Sequence, residues 1–162
     1  MNNKIIIAVD AMGGENSPKK IVDGVELSLR ENNENFFKLY GNKDQLNILI
    51  NNKPKINKHC EIIHSKNNVN DEESPLSAAK KGESSSMWKS IESQIDGQSQ
   101  ITLSAGNTGA LLIMSRLILN MIDGVEKPAL AGLWPNKVGM NVVLDLGANI
   151  ECNDKNLIDF CY

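Results

Sequence analysis

Residues 4–10 read K-I-I-I-A-V-D, and this run limits the fold more than any other stretch. Ile5 to Val9 are apolar without interruption. A strand with one wet face alternates apolar and polar residues. A strand covered on both faces does not, and that is the habit of parallel sheets. A glycine-bearing loop, Ala11 to Asn16, comes next. Ser17 then suits an N-cap and Pro18 a first helical position. Ile21, Val22, Val25 and Leu29 recur at helical spacing to about Arg30.

The same order of strand and helix repeats along the chain. Phe36 to Tyr40 predicts a second strand, ended by Gly41. Lys43 to Ile50 predicts a short helix. Glu61 to His64 predicts a third strand, and Lys66 to Ser74 a polar, acidic surface loop. Pro75 to Ile95 predicts helix with a break near Gly82, and Ser84 to Ser86 offer new caps. Gln100 to Ala105 predicts a strand and Asn107 to Ile122 a long helix. Ala129 to Trp134 and Asn141 to Leu146 predict two further strands. Strands alternating with helices predict an α/β class, a single domain over residues 1–162 with a largely parallel sheet. Asp154 opens a helical pattern that stops at Tyr162 after about two turns, so a truncated domain is expected; so short a helix is marginal without partners.

Composition excludes several function classes. Aromatic residues are 4% of the 162 and the formal charge is −3, so neither a stacking platform nor a basic footprint for nucleic acid exists. The most apolar run, Ala110 to Met114, falls far short of the roughly 20 residues a membrane span needs. Cys60, Cys152 and Cys161 are widely spaced. They fit free thiols in a reducing cytoplasm better than a disulfide frame or a zinc site, so no metal is expected.

Chemistry concentrates where strands end. The three loops are Asp10-Ala11-Met12-Gly13-Gly14-Glu15, Ser104-Ala105-Gly106-Asn107-Thr108-Gly109, and Asp145-Leu146-Gly147-Ala148-Asn149. Carboxyl ends of parallel strands line one edge of a sheet, where ligands bind, so all three loops are expected to share one cleft. The middle loop precedes a helix, whose unpaired N–H groups and positive dipole end suit phosphate. Gly106 and Gly109 would admit a ligand to the backbone, with Ser104 and Thr108 adding hydroxyls. Equally, the glycines could serve only a tight strand-to-helix turn. Neither G-x-G-x-x-G nor G-x-x-x-x-G-K-[ST] occurs, so the usual nucleotide signatures are missing. Asp10 and Asp145 could each bind a hydroxyl or orient a lysine, or simply cap the loop that follows. Lys80 and Lys81 could reach an anion or face solvent.

Taken together these motifs resemble the bacterial phosphate acyltransferases, the PlsX family of phospholipid synthesis. The resemblance rests on I-A-V-D-A-M-G-G followed by Pro18, on S-A-G-N-T-G-A-L-L, on P-A-L-A after the long helix, on L-D-L-G-A-N, and on Lys80-Lys81 before Ser84 to Ser86. It covers the N-terminal half of that family's length. Two places depart from its pattern: Gln100, and Leu133-Trp134-Pro135-Asn136. The resemblance implies a three-layer α/β/α sandwich like that of isocitrate and isopropylmalate dehydrogenases. It implies transfer of a fatty acyl group from the thioester of acyl carrier protein to inorganic phosphate, giving acyl-phosphate, with no cofactor. Asn107, Asp10, Asp145 and Lys81 are then the catalytic candidates. Gly13, Gly14, Ser104, Gly106, Thr108, Gly109, Gly147, Asn149 and Lys80 are the substrate- and phosphate-binding candidates. Implied partners are acyl carrier protein, phosphate and a second copy in a homodimer. The implied location is the cytoplasm, with peripheral association at the inner membrane face through the downstream acyltransferase. Acyl carrier protein is acidic, so docking calls for a local basic patch, with Lys19-Lys20, Lys80-Lys81 and Arg116 as candidates. Two alternatives stay open: a dehydrogenase-like nucleotide-binding domain, and an inactive truncated remnant that binds a partner protein.

Overall fold

The computed structural model describes residues 4–70 and 72–161, with the Lys81 side chain left out. The chain divides into two compact units, Met1–Leu119 and Asn120–Tyr162.

The first unit is built on four parallel strands: β1 (Ile6–Asp10), β2 (Phe36–Gly41), β3 (Cys60–His64) and β4 (Ile101–Ser104). Their spatial order is β3-β2-β1-β4. Ile7 pairs with Phe37 on one side and Ile101 on the other, and Asp10 with Tyr40 and Ser104. The in-register pairing puts Ile7, Val9, Phe37, Leu39 and Leu103 on one face, and Ala8, Asp10, Thr102 and Ser104 on the other. Helices α1 (Lys19–Glu31), α2 (Lys43–Ile50) and α3 (Pro54–His59) pack with the first face, where Val9, Val25, Leu29, Leu39, Leu46 and Ile56 form one core. Helices α4 (Pro75–Lys81), α5 (Ser86–Ile95) and α6 (Thr108–Leu119) form a second core around Met87, Ile91, Ala110 and Met114. The Thr102 hydroxyl donates to the Ser90 carbonyl at 2.9 Å, which ties α5 to the second face. Helices therefore cover both faces of a parallel sheet, a three-layer α/β arrangement.

Local chemistry explains most boundaries. Asn42, Ser74 and Ser85 each accept a backbone N–H from the first turn of α2, α4 and α5. A 3₁₀ turn, Gly82–Ser84, makes the break inside Pro75 to Ile95. The expected cap at Ser17 is corrected. α1 begins at Lys19 with Pro18 before it and no side-chain cap, and the Ser17 hydroxyl turns back to donate to the Gly13 carbonyl. α6 ends at Leu119, earlier than expected. Asn120 takes a φ of 62°, the left-handed conformation that stops helices. α3 was not anticipated, because Ile56 is its one buried residue.

The second unit departs most from expectation. β5 (Gly132–Asn136) and β6 (Gly139–Val143) form an antiparallel hairpin of their own and not parallel strands of the main sheet. Asn136 faces Gly139 across the two-residue turn Lys137-Val138, and its side chain accepts the Val138 N–H at 2.8 Å. The unit closes with α7 (Asp154–Asp159), where Asn153 and Asn156 cap each other reciprocally. No described helix is long and apolar enough to cross a membrane.

Candidate active site

From β1 the chain moves outward to β2 and then β3, and returns to place β4 on the other side of β1. The order of strands thus reverses between β1 and β4. In open α/β sheets the loops leaving such neighbours diverge, and a crevice forms at their carboxyl ends. Here those loops are 11–18 and 105–107.

The two loops lock together through their glycines. Gly14 has a φ of +84°, and a Cβ there would collide with the Ala105 carbonyl. A Cβ on Gly13 would lie 2.9 Å from Gly106 N, and one on Gly106 would lie 3.1 Å from the Gly13 Cα. Backbone meets backbone, so side chains at these positions would push the loops apart.

Beneath the contact sits Asp10, 1% exposed. The Ser104 hydroxyl donates to Asp10 Oδ2 at 2.8 Å and itself accepts the Gly106 N–H at 3.1 Å. Met12 N donates to Asp10 Oδ1 at 3.2 Å. The buried Ser86 hydroxyl also approaches this carboxyl, short of good hydrogen-bond geometry to any described atom. Burial pushes the Asp10 carboxyl above the usual carboxylate range, and the donors from Ser86, Ser104, Met12 and Gly13 only partly oppose it. Asp10 therefore joins both loops from below and does not face the open crevice.

The open side is a polar groove of about 540 Å³ lined by Gly14, Glu15, Lys20, Ala105 and residues 106–109. Helix geometry leaves the first-turn N–H groups of α6 without intrahelical acceptors. Asn107 Oδ1 takes that of Ala110 at 3.0 Å, while Asn107 Nδ2 donates to the Glu73 carbonyl at 3.0 Å. Asn107 is thus the N-cap of α6 and a tie to the loop before α4. Among the described residues nothing accepts the N–H groups of Thr108 and Gly109, at the positive end of a 12-residue helix. Thr108 is exposed beside them, and Gly109 lies against Pro75.

The first two loops are therefore brought together, with Asp10, Gly13, Gly14, Ser104, Gly106, Asn107, Thr108 and Gly109. The third belongs to the second unit. There Asp145 accepts from Leu130 N at 2.7 Å and from Asn149 N at 2.8 Å, and the Asn149 side chain donates to the Pro128 carbonyl at 2.8 Å. Gly147 supplies a φ of 82° between them. Burial alone would raise the Asp145 carboxyl, but donors from Asn149, Leu130 and Ala148 outweigh it and hold the group below its ordinary range. Lys80 is exposed on α4, and the Lys81 side chain lies outside the described residues. Cys60 is no nucleophile: burial pushes its thiol up to about 12. The sequence points to Lys20 only as a docking candidate, to Glu15 only as the end of the first loop and to Ser86 only as a cap and motif residue. Lys20 follows a polar loop like any surface lysine, and nothing in S-S-S marks which serine turns inward.

Residues 5–162 match the model of a family described as fatty acid synthesis protein. The chain belongs to that family. It is 53% identical over 160 residues to a phosphate acyltransferase of Pelagibacter ubique, covering 99% of this chain and 47% of that protein. It is 41% identical over 160 residues to a phosphate acyltransferase of Rhodospirillum rubrum, covering 99% and 46%. The chain spans about half the length of these curated relatives. The resemblance read from I-A-V-D-A-M-G-G and S-A-G-N-T-G-A-L-L thus holds over nearly the whole chain.

Proposed function

We propose that the chain is the N-terminal half of a phosphate acyltransferase, an α/β enzyme that moves a fatty acyl group from the thioester of acyl carrier protein to inorganic phosphate. The observation that supports this best is the polar groove at the sheet's switch point, where Gly14, Lys20 and the N-terminus of α6 converge. A phosphate oxygen attacks the thioester carbonyl, the C–O bond forms, and the tetrahedral oxyanion collapses with loss of the thiolate. The thiolate takes a proton from solvent, since a thiol with a pKa of roughly 8.5 leaves readily. The protein's work is to hold two anions against one helix end and to meet the oxyanion with N–H donors. Thr108, Gly109 and Lys20 are assigned to the anions. Asp10 and Ser104 are assigned to holding the loops, and Asn107 to capping α6. Lys80 and Lys81 are assigned to a second anion contact, and Asp145, Gly147 and Asn149 to substrate binding by the second unit. The sheet is of the type found in isocitrate and isopropylmalate dehydrogenases, working here in the cytoplasm as a dimer without a cofactor.

The test joins this chain to the remaining half of the Pelagibacter relative and measures thiol release from a fatty acyl thioester of acyl carrier protein. Release that depends on added phosphate, with acyl-phosphate trapped as the hydroxamate, is expected of the joined protein and little of it from the 162-residue chain alone. A folded joined protein with no phosphate-dependent release would remove the assignment. Asn107→Ala in the joined protein should lower turnover and cost about 1 kcal/mol of stability through the lost cap.

A further inference from the structure

An apolar groove of about 460 Å³ runs beside the polar one. Its floor is Ile7, Val9, Phe37 and Leu103 on the α1 face of the sheet, and its wall is Ile21 and Gly24 of α1. α1 packs over β1 and stops short of β4, so Leu103 is left 50% exposed on the inner face of a sheet. Lys20 and Ala105 line both grooves, so the two open into each other at the Ala105 end.

Gly24 is the unusual element. A glycine inside a helix costs about 1 kcal/mol relative to alanine. The usual compensation is a close neighbour, yet a Cβ at Gly24 would meet nothing within 4 Å. No packing reason keeps a side chain away. Ile21, Gly24 and Ser28 form one stripe along α1 that faces the groove. Omitting a side chain from the middle of that stripe keeps the groove open.

We infer that this groove holds the saturated hydrocarbon chain of the acyl substrate, with its carbonyl end at Lys20 and Ala105 beside the α6 N-terminus. The inference rests on the acyl-transfer reading. Three features favour an acyl chain over another occupant. The groove is apolar along its length and opens onto an anion site at one end. A cation, Lys20, stands at the junction, where the tetrahedral oxyanion and the acyl-phosphate product would carry negative charge. The groove is elongated, running along α1 from Lys20 past Ile21 and Gly24 to Ser28 above β1, β2 and β4. Glu15, across the polar groove, opposes an anion and sets a direction away from itself.

The experiment uses the 162-residue chain and three probes, decanoate, dodecanoate and tetradecanoate, each below its aggregation concentration, followed by calorimetry. Inorganic phosphate is titrated separately. Each added methylene buried should tighten binding about fourfold, and each step of two carbons about fifteenfold. Gly24→Leu fills the groove while improving helix propensity. It should weaken tetradecanoate binding at least tenfold, remove the chain-length dependence and leave phosphate affinity within twofold. Leu103→Asn on the floor should do the same. Equal binding in wild type and both variants, or binding that ignores chain length, overturns the inference. So does absence of fatty-anion binding together with a wild-type dimer that Gly24→Leu converts to monomer, which would assign the groove to a second copy. Chain-length-dependent binding lost in Gly24→Leu, without any phosphate binding, upholds the groove and defeats the acyl-transfer reading instead.

Discussion

Asp10 and Asp145 end two apolar runs that look alike in the sequence, I-I-I-A-V-D and N-V-V-L-D, yet they live in opposite environments. Asp10 is closed in by Ser86, Ser104 and two glycine loops, and burial raises its carboxyl. Asp145 sits in a half-buried turn where Leu130 and Asn149 donate to it, and those donors lower its carboxyl. The runs before them diverge in the same way. Ala8 and Val9 are buried between two helical layers, whereas Val142 is 64% exposed in a hairpin. An apolar run thus states that burial is wanted; the partners decide whether it is obtained. In the first unit α1 and α5 supply those partners from nearby in the chain. In the second unit, among the described residues, only Phe160, Asn156 and Asp159 are buried.

The sharpest way to break the comparison is at the loop contact. Gly14→Val must take a positive φ and intrude on the Ala105 carbonyl. Strain of about 1–3 kcal/mol from the backbone alone is compounded by that overlap, so a total loss above about 3 kcal/mol is expected. Urea unfolding of the first unit measures it, with phosphate titration alongside. A variant as stable as wild type, with unchanged phosphate affinity, would show that the two loops do not depend on each other. Gly147→Val also meets a positive φ but has open space around it, so it should cost clearly less.

A pH series sharpens the comparison at the carboxylates. For Asp10 the folded state holds its proton more tightly than the unfolded chain. Its contribution to stability is therefore fully present below about pH 4 and declines as pH rises through the raised folded value. For Asp145 the folded value is lowered. Its contribution is present above about pH 4 and is lost as pH falls through that lowered value. The stability difference between wild type and Asp10→Asn should thus fall with rising pH, and that between wild type and Asp145→Asn should rise. Near neutral pH, Asp145→Asn should cost about 1–2 kcal/mol, because an amide oxygen cannot accept all the donors that the carboxylate does. Hydrogen exchange at the Leu130 and Asn149 amides reports it locally. Parallel pH curves for the two variants would mean that folding shifts both carboxyls in the same direction.

What could be read from the chain follows the same division. β1, β2, β4 and the helices α1, α2, α5 and α6 were legible, because each is specified by its own residues: uninterrupted β-branched runs, or apolar residues at helical spacing with a cap nearby. So was the meeting of the first two loops, since parallel strands leave no other edge for them. α3 was not, having one buried residue to announce it. Nor was the hairpin. G-L-W-P-N and G-M-N-V-V carry the apolar content of buried strands, and the two-residue turn between them lacks the usual asparagine-glycine mark. The roles of Asp10 and Asn107 were half legible. Their positions at a strand end and a helix start were plain, but that one lies under the loops and the other spends its amide on Ala110 and Glu73 depends on contacts made across the fold.

The smallest expected effect tests whether the second unit's apolar strand is covered in solution. Val142 is 64% exposed and Leu133, its partner on the facing strand, 67%. Truncating an exposed side chain removes little area from contact, so Val142→Ala should change stability by less than about 0.5 kcal/mol at low micromolar protein. Association would alter this. If copies of the chain pack through the hairpin, the strand becomes buried as concentration rises and stability acquires a concentration dependence. Unfolding of wild type and Val142→Ala at two protein concentrations, with light scattering at both, separates the cases. A cost that stays below 0.5 kcal/mol in a monodisperse monomer leaves the contrast between the two apolar runs intact. A cost above about 1 kcal/mol that grows with concentration would show that β6, like β1, has found a partner, and that the two runs differ only in whether the covering layer belongs to the same chain.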